Sequence, residues 1–311
     1  MTILKPLHLR KGDLIGVISP AGPIADHSRI ERGVRYLEGQ GYRVTVGEHA
    51  AKSTGYLAGE DRERLSDLHA MFRNKKVKAI ICVRGGYGTT RLLLFIDYTL
   101  IKRNPKILTG FSDVTALQLA LWKKCGLITF HGPMLGVEMA SPMDPLTEES
   151  FWTNITSEHA IGPLLLPDEP QTLHSGKAAG RLIGGNLSLI VSLLGTPYQP
   201  DFSGSILFAE DAGEEPYRID RMLTQLRNAG ILSRTRAILA GQFTNCTPKD
   251  GATASLTTDH VLADVAQAAA KPSLSNLPFG HVGRKITLPV GLRVRVDADA
   301  RTIDYLEPAV R

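Results

Sequence analysis

Short apolar runs alternate with amphipathic stretches through the first half of the chain, the pattern of strands and crossover helices in a mainly parallel sheet. Leu14 to Ser19 reads as a strand, Arg29 to Gln40 as a helix and Tyr42 to Val46 as a strand. Asp61 to Arg73 reads as a helix, because Leu65, Leu68 and Phe72 recur at helical spacing. The β-branched run Val77 to Val83 has the continuity of a strand buried on both faces. Ile107 to Gly110 is the next strand, and Val114 to Lys123 the helix that follows it. Between about Ser141 and Ser175 the periodicity gives way to Pro-rich, polar sequence, which marks a linker. Beyond it come a strand near Arg181, a helix over Leu187 to Leu194, strands at Ile206 to Ala209 and Ala237 to Gln242, and helices over Tyr217 to Asn228 and Thr258 to Ala269. The closing stretch from Ile286 to Leu306 alternates as an antiparallel hairpin does.

The expected fold class is therefore α/β. A mainly parallel, doubly wound domain over residues 1–150 is followed by a linker at 151–175 and a second α/β domain over 176–311 with antiparallel terminal strands. The active site is expected in the cleft between the two.

Composition narrows the function classes. With 311 residues, 43% of them hydrophobic, the chain can bury two medium cores. No stretch approaches the roughly 20 apolar residues that span a bilayer, and the opening has no signal-peptide core, so a cytoplasmic protein without a membrane partner is expected. The net charge of +5 comes from lysines and arginines spread along the chain rather than gathered in blocks, which argues against a nucleic-acid partner. Cys82, Cys125 and Cys246 have neither disulfide nor metal-site spacing and read as buried thiols. No His/Cys/Asp/Glu cluster has ligand spacing, so no metal and no cofactor is expected, and chelators should leave activity unchanged.

In an open α/β sheet, ligands sit at the carboxyl ends of the strands, so the loops leaving those ends are where chemistry is sought. After Val83 comes Arg84-Gly85-Gly86-Tyr87-Gly88, whose glycines let backbone N–H groups approach a ligand. It lacks the spacing of phosphate-binding loops; a tight turn and an anion or oxyanion cradle both remain open. After Gly110 comes Phe111-Ser112-Asp113, a serine on a sharp strand-to-helix turn. That is the setting of a nucleophile elbow, but more often of an ordinary helix cap. Among nine histidines, His281 stands in the glycine-flanked loop LPFGHVGRK, whereas His131, in FHGP, suits a ligand contact or a satisfied turn equally well. Glu210 ends the apolar run Ile206 to Ala209, where a carboxylate either orients a base or simply starts the next helix.

Taken together and in order, RGGYG (84–88), GFSD (110–113), HGP (131–133), IGGN (183–186), LFAEDAGEEPYRIDRML (207–223) and LPFGH (277–281) resemble the serine peptidases that comprise bacterial LD-carboxypeptidases and the microcin C immunity peptidases. The resemblance covers nearly the whole chain. It implies Ser112 as nucleophile, His281 as general base and Glu210 as the acid that orients the base. It also implies an oxyanion hole from the N–H groups of Gly86 and Asp113, Asn186 beside the substrate, and a homodimer. Arg84 and Gly85 in the cradle are the expected substrate contacts, with Arg84 the candidate clamp for a terminal carboxylate. The leading expectation is removal of the terminal D-Ala from a peptidoglycan-derived tetrapeptide by Ser-His-Glu acyl transfer, the partner being a small peptide or muropeptide. Cleavage of a peptidyl-nucleotide antibiotic ranks second, because Trp122 and Trp152 are the only tryptophans available for stacking a nucleobase. A non-catalytic ligand-binding protein on the same scaffold is the reading from another class.

Overall fold

In the computed structural model, which describes residues 2–167, 169–248 and 254–311, the apolar runs of the first half become five strands of one sheet. These are β1 (Leu14–Ile18), β2 (Arg43–Val46), β3 (Val77–Cys82), β4 (Ile107–Gly110) and β5 (Thr129–His131). All four pairings among them are parallel. β3 and β4 are buried throughout except at Lys78, as a strand covered by helices on both faces must be. The helix Asp61–Arg73 covers one face with Leu68, Met71 and Phe72 and starts on a capping box between Glu60 and Glu63.

The second half supplies β6 (Gly162–Pro163), β7 (Gln171–His174), β8 (Lys177–Asn186), β9 (Ser205–Ala212), β10 (Ala237–Thr244), β11 (Ser273–Ser275), β12 (Leu288–Val290), β13 (Arg293–Asp297) and β14 (Thr302–Tyr305). Eight of them form the second sheet, in the order β6-β14-β13-β8-β9-β10-β11-β7. Its centre, β8 through β11, is parallel, and both flanks are antiparallel. In β13 the arginines face out while Val294 and Val296 are fully buried, so the alternation of RVRVD follows the pleat.

Two expectations need correction. The stretch Leu288–Val290 is not part of the terminal hairpin: it is β12, which crosses to the first sheet and pairs antiparallel with β5. Pro289 can sit there because β12 is an edge strand. Gly291, at φ +96°, then turns the chain into β13 against the Trp122 ring, where a side chain would have no room. The stretch expected as a linker also carries structure, with residue 168 lying outside the described residues. A helix, Pro145–Thr156, buries Phe151 and Ile155, and β6 and β7 join the second sheet. Asp144 caps that helix by accepting from the N–H groups of Leu146 and Thr147, and Pro145 occupies its first turn. The prolines that looked like loop chemistry thus include a helix start.

Candidate active site

β4 ends at Gly110 and the helix Val114–Cys125 begins four residues later, so the chain must reverse within Phe111, Ser112 and Asp113. Ser112 takes the left-handed conformation, φ +63°. For a non-glycine residue this costs on the order of 1–2 kcal/mol, strain of the kind that collects at functional sites. The Ser112 carbonyl accepts the Thr115 N–H at 2.9 Å and so opens the helix. Asp113 is buried, and its carboxylate accepts from Thr89 N–H at 2.8 Å while its carbonyl accepts from the Thr89 hydroxyl at 2.6 Å. Burial raises its pKa, and the hydrogen bonds from Thr89 work against that rise. Asp113 thereby ties the serine turn to the glycine loop.

That loop leaves β3 and lies against the serine. A Cβ on Gly85 would stand 2.8 Å from Ser112 Cβ, 3.0 Å from Ser112 Oγ and 3.4 Å from the Asp113 nitrogen. Gly86 and Gly88 hold φ of +116° and +137°, which L side chains rarely adopt. Among the described residues no hydrogen bond engages the N–H of Gly86 or of Asp113. Arg84 gives one N–H to the Pro23 carbonyl at 3.1 Å and lines the cavity beside Gly85, Gly86 and Ser112.

The other two side chains come from the second half. β8 and β9 run parallel with Asn186 opposite Glu210, which sets Glu210 toward the carboxyl end of its strand. Glu210 is fully buried, and its Oε2 lies 2.7 Å from His281 Nδ1. With the carboxylate ionised, Nδ1–H donates and Nε2 is left for a proton. The loop bearing His281 is held by the Gln242 N–H to the Phe279 carbonyl at 2.9 Å and by the Thr244 hydroxyl to the His281 carbonyl at 3.1 Å. Gly280 is required: φ is +111°, and a Cβ there would meet Glu210 Oε2 at 2.8 Å and its Cβ at 2.9 Å.

The two halves converge on one cleft. His281 and Ser112 line the same cavity of about 450 Å³, together with Arg84, Gly85 and Gly86. A neighbouring lobe of about 350 Å³ shares Phe111, Val137 and His281 and continues toward Asp144 and Lys285. The Phe111 ring meets the His281 ring edge-on, with centroids 5.1 Å apart. Among the described residues, Ser112 Oγ and His281 share the cavity without a hydrogen bond between them. Such bonds often tighten only when substrate is bound.

Asn186, expected beside the substrate, is committed to the scaffold. Its Nδ2 donates to Asp211 at 2.9 Å, its Oδ1 caps the helix Leu187–Ser192, and neither cavity lobe includes it. His131 fits neither open reading: it is buried inside a box of Phe111, Phe208 and Phe279, and among the described residues neither of its ring nitrogens has a hydrogen-bond partner. Burial first, then the charges of Lys285 and His281, push its pKa down to about 3. Sequence reasoning did not single out Arg29, Val137, Glu138 or Lys285, all of which line the cleft. Gly280 carried a signal, being the glycine directly before the candidate base. All three cysteines are free and buried. Among the described residues no helix is long and apolar enough to cross a membrane, and no group of three His, Cys, Asp or Glu could hold a metal ion.

Two α/β domains meet at a cleft that gathers a serine on a strained turn, a histidine paired with a buried glutamate, and a glycine loop. The chain matches the models of the LD-carboxypeptidase N-terminal domain over residues 15–132 and the LD-carboxypeptidase C-terminal domain over residues 179–296, and it belongs to this peptidase family. It is 42% identical over 304 residues to a Bacillus subtilis protein named probable murein peptide carboxypeptidase, covering 96% of this chain and 93% of that one. Among solved structures, the microcin C7 self-immunity protein in complex with aspartyl sulfamoyl adenosine matches with a TM-score of 0.90 at 28% identity, covering 99% of this chain and all of that one. The muramoyltetrapeptide carboxypeptidase from Oxalobacter formigenes matches with a TM-score of 0.82 at 32% identity, covering 94% and 97%.

Proposed function

We propose that the protein is a serine LD-carboxypeptidase that removes the terminal D-Ala from murein tetrapeptides during cell wall recycling in the cytoplasm. The observation that carries this reading is the 2.7 Å contact between His281 and the buried Glu210 in a cleft that also holds Ser112 on its strained turn. His281 Nε2 takes the Ser112 hydroxyl proton as Oγ attacks the carbonyl carbon of the third residue. The N–H groups of Gly86 and Asp113, beside the start of the helix Val114–Cys125, stabilise the oxyanion, each such donor being worth on the order of 10² to 10³ in rate. The C–N bond breaks, His281 returns its proton to the departing D-Ala amine, and water attacks the resulting ester by the same route in reverse. Glu210 holds the imidazole tautomer and balances the imidazolium. Arg84, which lines the cavity beside the cradle, receives the free carboxylate.

One observation favours the second reading, hydrolysis of a peptidyl-nucleotide: the likeness to the microcin immunity protein bound to aspartyl sulfamoyl adenosine. The tryptophans speak against it. Trp152 stacks on Tyr42 with centroids 5.0 Å apart, Trp122 is buried against Gly291, and neither lines the cleft. Incubation with purified murein tetrapeptide and, separately, with aspartyl sulfamoyl adenosine, followed by mass spectrometry, separates the two. Tripeptide plus D-Ala from the first, with the second intact, is the expected result; cleavage of the second alone overturns the proposal.

A further inference from the structure

Four residues beyond His281, the chain buries a cation against the nucleophile turn. Lys285 Nζ stands 3.9 Å from the centroid of the Phe111 ring, and Phe111 directly precedes Ser112. The ammonium pairs with Glu138 Oε1 at 2.5 Å, the two side chains being only 2% and 8% exposed. The other oxygen of Glu138 accepts the Met134 N–H at 2.9 Å, in the turn that follows β5. The Lys285 N–H donates to the Thr147 hydroxyl at 2.8 Å, and that hydroxyl donates to the Gly283 carbonyl at 3.1 Å. The loop from His281 to Lys285 is therefore fastened to Phe111, Glu138 and Thr147, all of which precede residue 150.

A buried ion pair is a poor source of stability, because desolvating both ions costs about as much as their attraction returns, and apolar residues of similar volume often do better. Its place is informative. The nucleophile lies in the first half and the base in the second, so the reacting atoms need a brace across the seam, and Lys285 makes contact with the residue next to one while sharing a short loop with the other.

We infer that Lys285, held by Glu138, is a positioning residue that clamps the Phe111–Ser112 turn to the His281 loop and keeps Oγ within reach of Nε2. This rests on the triad reading above. The clamp touches no reacting atom, and with both side chains almost wholly buried beneath the cleft wall its loss falls on the chemical step more than on binding.

The test compares Lys285→Met, Lys285→Arg, the double variant Lys285→Met/Glu138→Gln, whose amide oxygen can still accept the Met134 N–H, and Lys106→Met, with kcat, KM and thermal midpoint measured on murein tetrapeptide. Lys106 is the control: it is also buried, donates to the carbonyls of Met71 and Asn74, and lies outside the cleft. Because a misplacement of about 1 Å can cost two powers of ten, Lys285→Met is expected to lower kcat tenfold or more. KM should change less than about threefold, since a purely positional loss falls on the transition state. Lys285→Arg keeps a paired cation and recovers most of the rate. The double variant strands no charge, so its midpoint returns toward wild type while its kcat stays low, and this holds even if the single variant does not fold. Lys106→Met loses stability and keeps its kcat. A double variant with wild-type kcat overturns the clamp, as does a loss that disappears once corrected for the folded fraction. Ser112→Ala, assayed alongside, separates the two layers. If Ser112→Ala turns over normally, the triad reading fails and the clamp with it; if it is dead while the double variant is fully active, only the clamp fails.

Discussion

Gly85 is where the smallest substitution should have the sharpest effect. Its φ lies outside the left-handed region, so alanine meets no backbone objection; what it lacks is space. The added Cβ would sit 2.8 Å from Ser112 Cβ, about 0.7 Å inside the ~3.5 Å at which carbon atoms pack. Rotating the serine side chain moves Oγ but not Cβ, so relief must come from the backbone of one loop or the other. Overpacking of this kind costs about 1–3 kcal/mol of stability, less than a domain's usual total of 5–15, so the variant stays folded. The rate has no such reserve. If Ser112 is the nucleophile as proposed, a displacement approaching 1 Å there removes on the order of 10² in kcat, equivalent to about 2.7 kcal/mol of barrier. The assay is D-Ala release by Gly85→Ala together with its thermal midpoint and its labelling rate by a serine-directed phosphonate. Turnover within about threefold of wild type would refute the contact geometry on which the cradle rests.

Further expectations follow from single features of the site. Ser112→Gly relieves the left-handed strain and should be more stable than Ser112→Ala by about 1 kcal/mol, with both variants inactive; equal chemical-denaturation midpoints would contradict the strain. With Arg84 as the proposed carboxylate clamp, Arg84→Lys loses the guanidinium fork and should lower kcat/KM by one to two powers of ten, because a charged hydrogen bond is worth about 1.5–3 kcal/mol. The wild type should then handle the amidated tetrapeptide poorly, and equal turnover of acid and amide would remove the clamp. His131, with its pKa pushed from 6.5 down to about 3, binds its proton more readily unfolded than folded. Its contribution is complete above about pH 6.5 and is lost as pH falls toward 3, at up to about 1.4 kcal/mol per pH unit. His131→Phe should flatten the loss of urea stability between pH 7 and pH 5, and an unchanged slope would refute the assignment.

Much of this was legible in the sequence because local pattern and global fold agree there. β3 and β4 are apolar throughout because helices cover both faces, and RVRVD alternates because β13 has a wet side. What hid were features set by tertiary context. β12 is three residues long, and only its pairing with β5 distinguishes it from the start of the hairpin. Asp144–Pro145 reads as a turn until Phe151 and Ile155 find a core to bury against. The candidate triad could be proposed because each member sits at a strand end or in a glycine-flanked loop, whereas Asn186 has the same setting and serves as a cap. Lys285 and Glu138 left no trace, since a lysine and a glutamate 147 residues apart look solvated until the chain folds.

The central claim is that Ser112 forms a covalent bond to the substrate. Rapid-quench mass spectrometry of the enzyme turning over murein tetrapeptide, with peptide mapping of any adduct, addresses it directly. The account predicts an ester of the tripeptide on Ser112, which accumulates when acylation outruns hydrolysis, grows more persistent in Glu210→Gln and is absent from Ser112→Ala. Tetrapeptide hydrolysis by Ser112→Ala at the wild-type rate, or an adduct mapped to any other side chain, would contradict it.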